Sequence, residues 1–286
     1  MRTLWQIASI LFVVSGGIAA HPTEAQAGVR DGFLLTRDGV RLHYLEAGPA
    51  TGQTIVLVPG WTMPAWIWAP QIAAFSRKYH VIAFDPRGQG ESDVPAYGYT
   101  PARRGQDIAE LIARLRGPVL LVGWSLGVLD SLAYLHMYGD AAIAGLVLVD
   151  NSVGEEPAPL PGPPVPRISH ARFMARFVRG MFHVPQPASY LDRLTEASLR
   201  TPEPACRALL AYPVPRTYWR EALYATDRPL LYVVRPRFAA QAANVQRMRP
   251  NTETVVFPNA GHALFVDEPT RFDAVVEEFM RERVWR

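Results

Sequence analysis

The chain has one cysteine and one lysine in 286 residues. A lone Cys206 excludes an internal disulfide framework and a cysteine-based zinc site; it reads as a small buried apolar side chain. With Lys78 the single lysine among 29 basic residues, arginine carries the positive charge. The arginines are scattered and the formal net charge is only +3. No dense basic track is available for a phosphate backbone, so no nucleic-acid partner is expected. There is no glycine period, no heptad seam and no self-similarity at about 20–50 residues, which excludes collagen, coiled coil and repeat arrays. No stretch reads G-x-x-x-x-G-K-[ST], so there is no phosphate loop. His43, His80, His136, His170 and His183 show no ligand spacing, and neither a metal nor a cofactor is expected. What is present is a 49% hydrophobic, 19% charged composition, which excludes a disordered chain.

The N-terminus reads as a targeting segment. Arg2 supplies a positive start, and residues 7–20 are uncharged and apolar. That run is short of the about 20 residues a membrane span needs. Small residues follow at cleavage-like spacing, at 18–20 and at Ala25-Gln26-Ala27. A secretory signal peptide over 1–27 is expected, cleaved after Ala27 or alternatively after Ala20. With no twin-arginine pair, Sec-type export to the periplasm or medium is expected. The alternative is an uncleaved anchor, which would be the chain's one membrane contact.

Beyond it, strand and helix signals alternate. Segments 33–36 and 40–46 flank Arg37-Asp38-Gly39 as a β-hairpin. Short apolar runs at 54–58, 81–84, 119–122, 143–149, 230–234 and 254–257 read as strands. Helical periodicity marks 102–115, 126–137 and 269–283. Strands apolar on both faces, alternating with helices, define an α/β fold: a mostly parallel, doubly wound sheet. One region breaks the alternation. Six prolines crowd 157–166, and helical segments follow at 168–182, 188–199 and 203–212. Residues 152–226 are therefore expected to form a small helical cap, inserted into a core made of 28–151 and 227–286. Helix 168–182 carries Phe173, Phe177 and Met181 together and a stripe of Arg172, Arg176 and Arg179, which reads as a solvated face, with an anionic substrate or a membrane surface as the alternatives.

Gly123-Trp124-Ser125-Leu126-Gly127 lies between a strand and a helix, the context in which G-x-S-x-G forms a nucleophile elbow. A serine in so sharp a turn needs neighbours without β-carbons. Its hydroxyl projects from the sheet edge, over a helix N-terminus that favours negative charge. Asp85-Pro86-Arg87-Gly88-Gln89-Gly90-Glu91-Ser92, Val58-Pro59-Gly60-Trp61 and Gly261-His262 also each follow a strand. Together these motifs resemble the α/β-hydrolase superfamily, in particular its small capped branch of esterases, cofactor-free haloperoxidase-like enzymes and C–C bond hydrolases, over residues 32–284. The resemblance implies Ser125 as nucleophile and His262 as general base. It implies an oxyanion hole from the backbone N–H groups of Leu126 and Trp61. Relatives usually carry His-Gly before the second donor; Pro59-Gly60 stands here, and a side chain that braces that loop is missing. The 85–92 stretch resembles a turn of structural role. Trp124, Phe173 and Phe177 are candidates to line the substrate pocket.

The acid is not in its usual place. Most relatives carry it after the strand that follows the cap, but 230–234 is followed by Arg235-Pro236-Arg237, and no carboxylate occurs between Asp227 and Glu253. Asp150, ending the strand next after the nucleophile's, is the leading candidate. Glu155, Glu156 or a Ser–His dyad are the alternatives. The resulting expectation is an exported serine hydrolase acting on a small-molecule carboxylic ester or related acyl substrate. Perhydrolase or haloperoxidase-like chemistry and lactonase activity on the same triad are alternatives, as is a non-catalytic binding protein on this scaffold.

Overall fold

The computed structural model describes residues 28–159 and 168–286. The expected signal segment and most of the proline-rich stretch lie outside the described residues. Eight strands form one sheet in the order β1-β2-β4-β3-β5-β6-β7-β8. They are β1 (Arg30–Leu35), β2 (Arg41–Ala47), β3 (Thr54–Val58), β4 (His80–Phe84), β5 (Val119–Trp124), β6 (Ile143–Val149), β7 (Leu230–Val234) and β8 (Thr252–Val256). The hairpin β1–β2 is antiparallel, as is the β2–β4 pair, and every other pairing is parallel. The chain runs outward from β3 to β4, returns to place β5 on the other side of β3, and then continues through β6 to β8. The strand order thus reverses at β5, and a crevice at such a switch point is where open α/β sheets bind ligands.

Helices cover both faces: α1 (Ala69–Phe75), α2 (Pro101–Ile112), α3 (Leu126–Tyr138), α8 (Ala239–Met248), α9 (Leu264–Asp267) and α10 (Pro269–Phe279). Strand alternation sorts the core. Val119 and Leu121 of β5 pack with Ile108, Leu132 and Val245 of α2, α3 and α8. Leu120, Val122 and Trp124 pack on the opposite face with Ile72, Leu264 and Phe272 of α1, α9 and α10. Every residue of β5 is buried, so truncating a leucine there to alanine would cost about 2–5 kcal/mol. Helix α3 is apolar nearly all round because it is enclosed nearly all round. Gly105 of α2 makes that possible, since a β-carbon there would lie 2.8 Å from the Tyr134 amide. Two buried ion pairs fix α2 further: Arg104 Nε donates to Asp130 on α3 at 2.7 Å, and Arg87 Nη2 to Asp107 at 2.8 Å.

Among the described residues between β6 and β7 lie four helices: α4 (His170–Gly180), α5 (Ala188–Leu199), α6 (Glu203–Leu209) and α7 (Thr217–Tyr224). Helix α4 is shorter than its periodicity suggested. Ser169 caps its start by accepting from the Arg172 amide, and it stops at Gly180. The last helix also ends early, passing at Met280 into a π-helical turn. Four helices left no periodic signal. Helices α1, α7 and α9 are too short to show one, and α8 is dominated by alanine and polar residues.

Candidate active site

Strand β5 ends at Trp124 and α3 begins at Leu126, so Ser125 alone turns the chain. Its φ of +54° with ψ of −117° is a strained conformation for a residue with a β-carbon, held by its surroundings. Its amide donates to Val149 O at 2.9 Å, and Asn151 Nδ2 donates to its carbonyl at 2.7 Å. The flanking glycines are obligatory. A β-carbon on Gly123 would lie 2.4 Å from Gly127 O, and one on Gly127 would lie 2.4 Å from Val58 O.

The tip of β6 turns at Asp150, also left-handed at φ +49°, with its amide on Val233 O at 2.8 Å. His262 arrives on the loop after β8. That loop is held by Trp124 Nε1 donating to His262 O at 2.8 Å and by Asp267, whose carboxylate accepts from the Gly261 and His183 amides at 2.7 Å each. The result is a continuous relay: His262 Nε2 stands 2.8 Å from Ser125 Oγ, and His262 Nδ1 stands 2.7 Å from Asp150 Oδ2. Glu155 and Glu156 are engaged elsewhere: Glu155 accepts from Tyr224, and Glu156 pairs with Arg216 at 3.2 Å.

Sequence reasoning missed two residues. Arg235, directly after β7, donates from Nε to Asp150 Oδ2 at 2.6 Å and from its amide to Asp150 Oδ1 at 3.0 Å. Burial alone would favour the neutral acid, but the hydrogen bond and charge of His262 and the charge of Arg235 outweigh it and hold the Asp150 carboxyl below its usual range. Gln89 is the other. Its side chain accepts from the Thr62 amide at 2.8 Å and donates to Gly60 O at 3.0 Å, bracing the loop that Pro59 leaves without its usual support. That loop lies against Ser125: a β-carbon on Gly60 would sit 3.0 Å from Ser125 Cβ. The Gly60–Trp61 peptide and the Leu126 amide, which opens α3 and has no helical acceptor, therefore flank Ser125. The 85–92 stretch is structural, with Ser92 Oγ donating to Asp85 O at 2.6 Å.

A cavity of about 560 Å³ opens over Ser125, Asp150 and His262, with Phe177, Met181 and Phe238 on its apolar side and Arg235 and Arg237 at its polar side. Phe177 is thus where expected, but Trp124 and Phe173 are not. Trp124 is 1% exposed and stacks edge-on against Phe265 in the core. Alternation along β5 places it on the same face as Leu120 and Val122. Phe173, one helical turn before Phe177, faces a separate cavity of about 420 Å³ with Trp61, Cys206 and Leu210. The Trp61 indole packs edge-on against Phe177 at 5.1 Å.

Ser125, His262 and Asp150 thus stand together at the strand tips of a doubly wound sheet, and comparison with known proteins gives the class of the fold. The sequence profile of the alpha/beta hydrolase family matches residues 55–275, and the chain belongs to that family. The non-heme chloroperoxidase of Streptomyces lividans is 36% identical over 121 residues, 41% of this chain and 44% of that protein, so the match spans less than half of it. The pimeloyl-[acyl-carrier protein] methyl ester esterase of Vibrio parahaemolyticus is 24% identical over 84% of this chain and 98% of its own. Among solved structures, an esterase from Rhodococcus sp. ECU1013 superposes with a TM-score of 0.74 at 25% identity, over 90% of this chain and 99% of its own.

Proposed function

We propose that this chain is a serine hydrolase that cleaves a small-molecule carboxylic ester through an acyl-enzyme. The observation that carries the reading is the unbroken run of hydrogen-bond distances from Ser125 Oγ through His262 to Asp150, 2.8 and 2.7 Å. Ser125 Oγ attacks the carbonyl carbon while His262 Nε2 takes the hydroxyl proton. Asp150 holds Nδ1 protonated and offsets the imidazolium charge. The Leu126 and Trp61 amides receive the oxyanion, where preorganised donors act without reorganising. His262 then passes its proton to the leaving alkoxide. Water, deprotonated by the same nitrogen, attacks the acyl-enzyme and restores Ser125. Two of the similar proteins above are named as esterases, and they support the choice of an ester substrate.

Two further readings belong with this one: residues 1–27 direct export, and 152–226 cover the site as a cap. The cap reading is supported by Phe177 and Met181 in the cavity wall and by Ala263 N donating to Met181 O at 3.0 Å, beside His262. N-terminal sequencing of exported protein, beginning at Gly28 or His21, tests the first. A panel of p-nitrophenyl esters from acetate to palmitate tests the activity, alongside labelling of Ser125 by a fluorophosphonate. An unlabelled, inactive chain would leave only a binding scaffold. In the same panel Phe177→Ala should shift chain-length preference by about tenfold or more, and Phe173→Ala should shift it less.

A further inference from the structure

Arg235 sits on the strand tip between the two groups whose relation matters most for general-base catalysis. Its guanidinium Nε donates to Asp150 Oδ2, the same oxygen that faces His262 Nδ1, and its Nη2 lies 3.4 Å from that nitrogen. The Arg235 side chain is 28% exposed, and that of Asp150 is 0% exposed. A cation is therefore fixed beside the imidazole, partly shielded from water, and it shares the imidazole's counter-ion. We propose that Arg235 is a positioning residue of the catalytic relay: it clamps Asp150 against His262, and its charge sets the lower pH limit of activity. The inference rests on the serine-hydrolase reading above.

Two consequences follow from electrostatics. First, the Asp150 carboxylate is oriented from two sides, so it has little freedom to leave His262. Second, a second cation at the Asp150 oxygen competes with the imidazolium for the same negative charge. A like charge close by opposes the charged form of an imidazole, so Arg235, with Nη2 3.4 Å from His262 Nδ1, works against protonation of the base that must accept the Ser125 proton. The other groups facing His262 do not duplicate this. Ser125 is neutral. Asp267 on α9 meets the loop through the Gly261 and His183 amides, and the Arg237 guanidinium lies over the Phe238 ring. The backbone contact makes the idea separable from folding. The Arg235 amide still donates to Asp150 Oδ1 when the side chain is changed, so a neutral variant loses the charge and the Nε bond while keeping a carboxylate anchor.

The experiment is the pH profile of kcat/KM for a neutral p-nitrophenyl ester with wild type, Arg235→Gln and Arg235→Lys. The expected result is that Arg235→Gln moves the acidic limb upward by about one pH unit and lowers kcat at acidic pH about tenfold, with KM little changed. Arg235→Lys should return the limb toward wild type while kcat recovers only in part, because lysine keeps the charge and lacks the planar fork. Millimolar guanidinium should restore activity to Arg235→Gly. If Arg235→Gln does not fold, Arg235→Lys and the guanidinium rescue carry the test alone. An unmoved acidic limb in the neutral variants would overturn the proposal. So would a defect confined to KM for esters bearing a carboxylate, which would make Arg235 a substrate anchor. Ser125→Ala run in parallel separates the two levels. Retained hydrolysis there defeats the serine reading, whereas an inactive Ser125→Ala beside an Arg235→Gln that tracks wild type defeats only the role of Arg235.

Discussion

Among the described residues three histidines meet carboxylates: His262 and His43 through Nδ1, and His80 through Nε2, with Glu46 at 2.9 Å; of the two held at Nδ1, only His262 lines the cavity over Ser125. His262 has Asp150 on Nδ1 and a hydroxyl, Ser125 Oγ, on Nε2. His43, on β2, has Asp85 on Nδ1 at 2.7 Å and a second carboxylate, Asp31 of β1, on Nε2 at 2.9 Å. The first contact is the same in both. Between these two rings the second nitrogen makes the difference. Facing a hydroxyl, an imidazole held by one carboxylate can take a proton and give it back. Facing another carboxylate, both nitrogens are drawn into donating, and the ring becomes a charged rivet. Burial disfavours the charge on His43, but the hydrogen bonds and charges of Asp85 and Asp31 outweigh it and raise its pKa above the ordinary imidazole range. The rivet joins β1 and β2 to the turn after β4, at the antiparallel edge of the sheet and away from the switch point.

The comparison breaks first at Ser125. Ser125→Ala leaves His262 with no proton to move, and ester turnover should fall on the order of 10⁶-fold, the cost when a serine protease loses its nucleophile. Steady-state assay with an active-site titrant checks this; substantial residual hydrolysis would make the His262 centre as inert as that of His43. Asp150→Asn comes next. It should preserve the fold but allow the wrong imidazole tautomer, at a cost of about 10⁴ in kcat. Combined with a His262 variant it should add little, because the two act as a unit. A loss below about tenfold would remove Asp150 from the relay and leave a dyad.

Much of this contrast was legible in the sequence, and what was not has a physical reason. Ser125, Leu126 and His262 announce themselves because the elbow needs glycines at fixed spacing and the histidine follows a strand. Asp150 was found through an absence: no carboxylate follows β7, so a neighbouring strand tip was the next place to look. What replaced the carboxylate, Arg235, was in plain view but carried no signal, since its meaning depends on β6 and β7 being adjacent across 85 residues. Gln89 was hidden the same way, inside a turn whose role reads as structural. Trp124 was misplaced by proximity to Ser125, although the strand period already put it in the core. Phe173 and Phe177 share a helix face in sequence, yet Trp61 stands beside both rings and the two phenylalanines face different cavities. Such a division arises only from tertiary packing.

The smaller effects lie at His43. Replacing it by glutamine leaves Asp85 buried without its cation, a change that typically costs about 3–5 kcal/mol, while kcat per folded molecule should hold, because no site residue touches the ring. Urea denaturation and activity measured on the same sample separate the two. The pH dependence sharpens this further, and its sign is fixed. The folded-state pKa of His43 lies above the unfolded value of 6.5, so below that value both states hold the proton and its stabilisation is fully present. As pH rises past it, the unfolded chain releases its proton first while the folded chain retains its own, and stability declines. The contribution is gone once pH passes the folded pKa. Asp150 runs the opposite way: its lowered pKa gives a contribution present above the unfolded value of 3.8 and lost as pH falls. The stability gap between wild type and His43→Gln should therefore narrow steadily as pH is raised from 6.5, seen as converging urea midpoints. A gap that stays constant or widens with pH would mean that His43 is neutral in the folded protein and that Asp85 and Asp31 do not hold a proton on its ring.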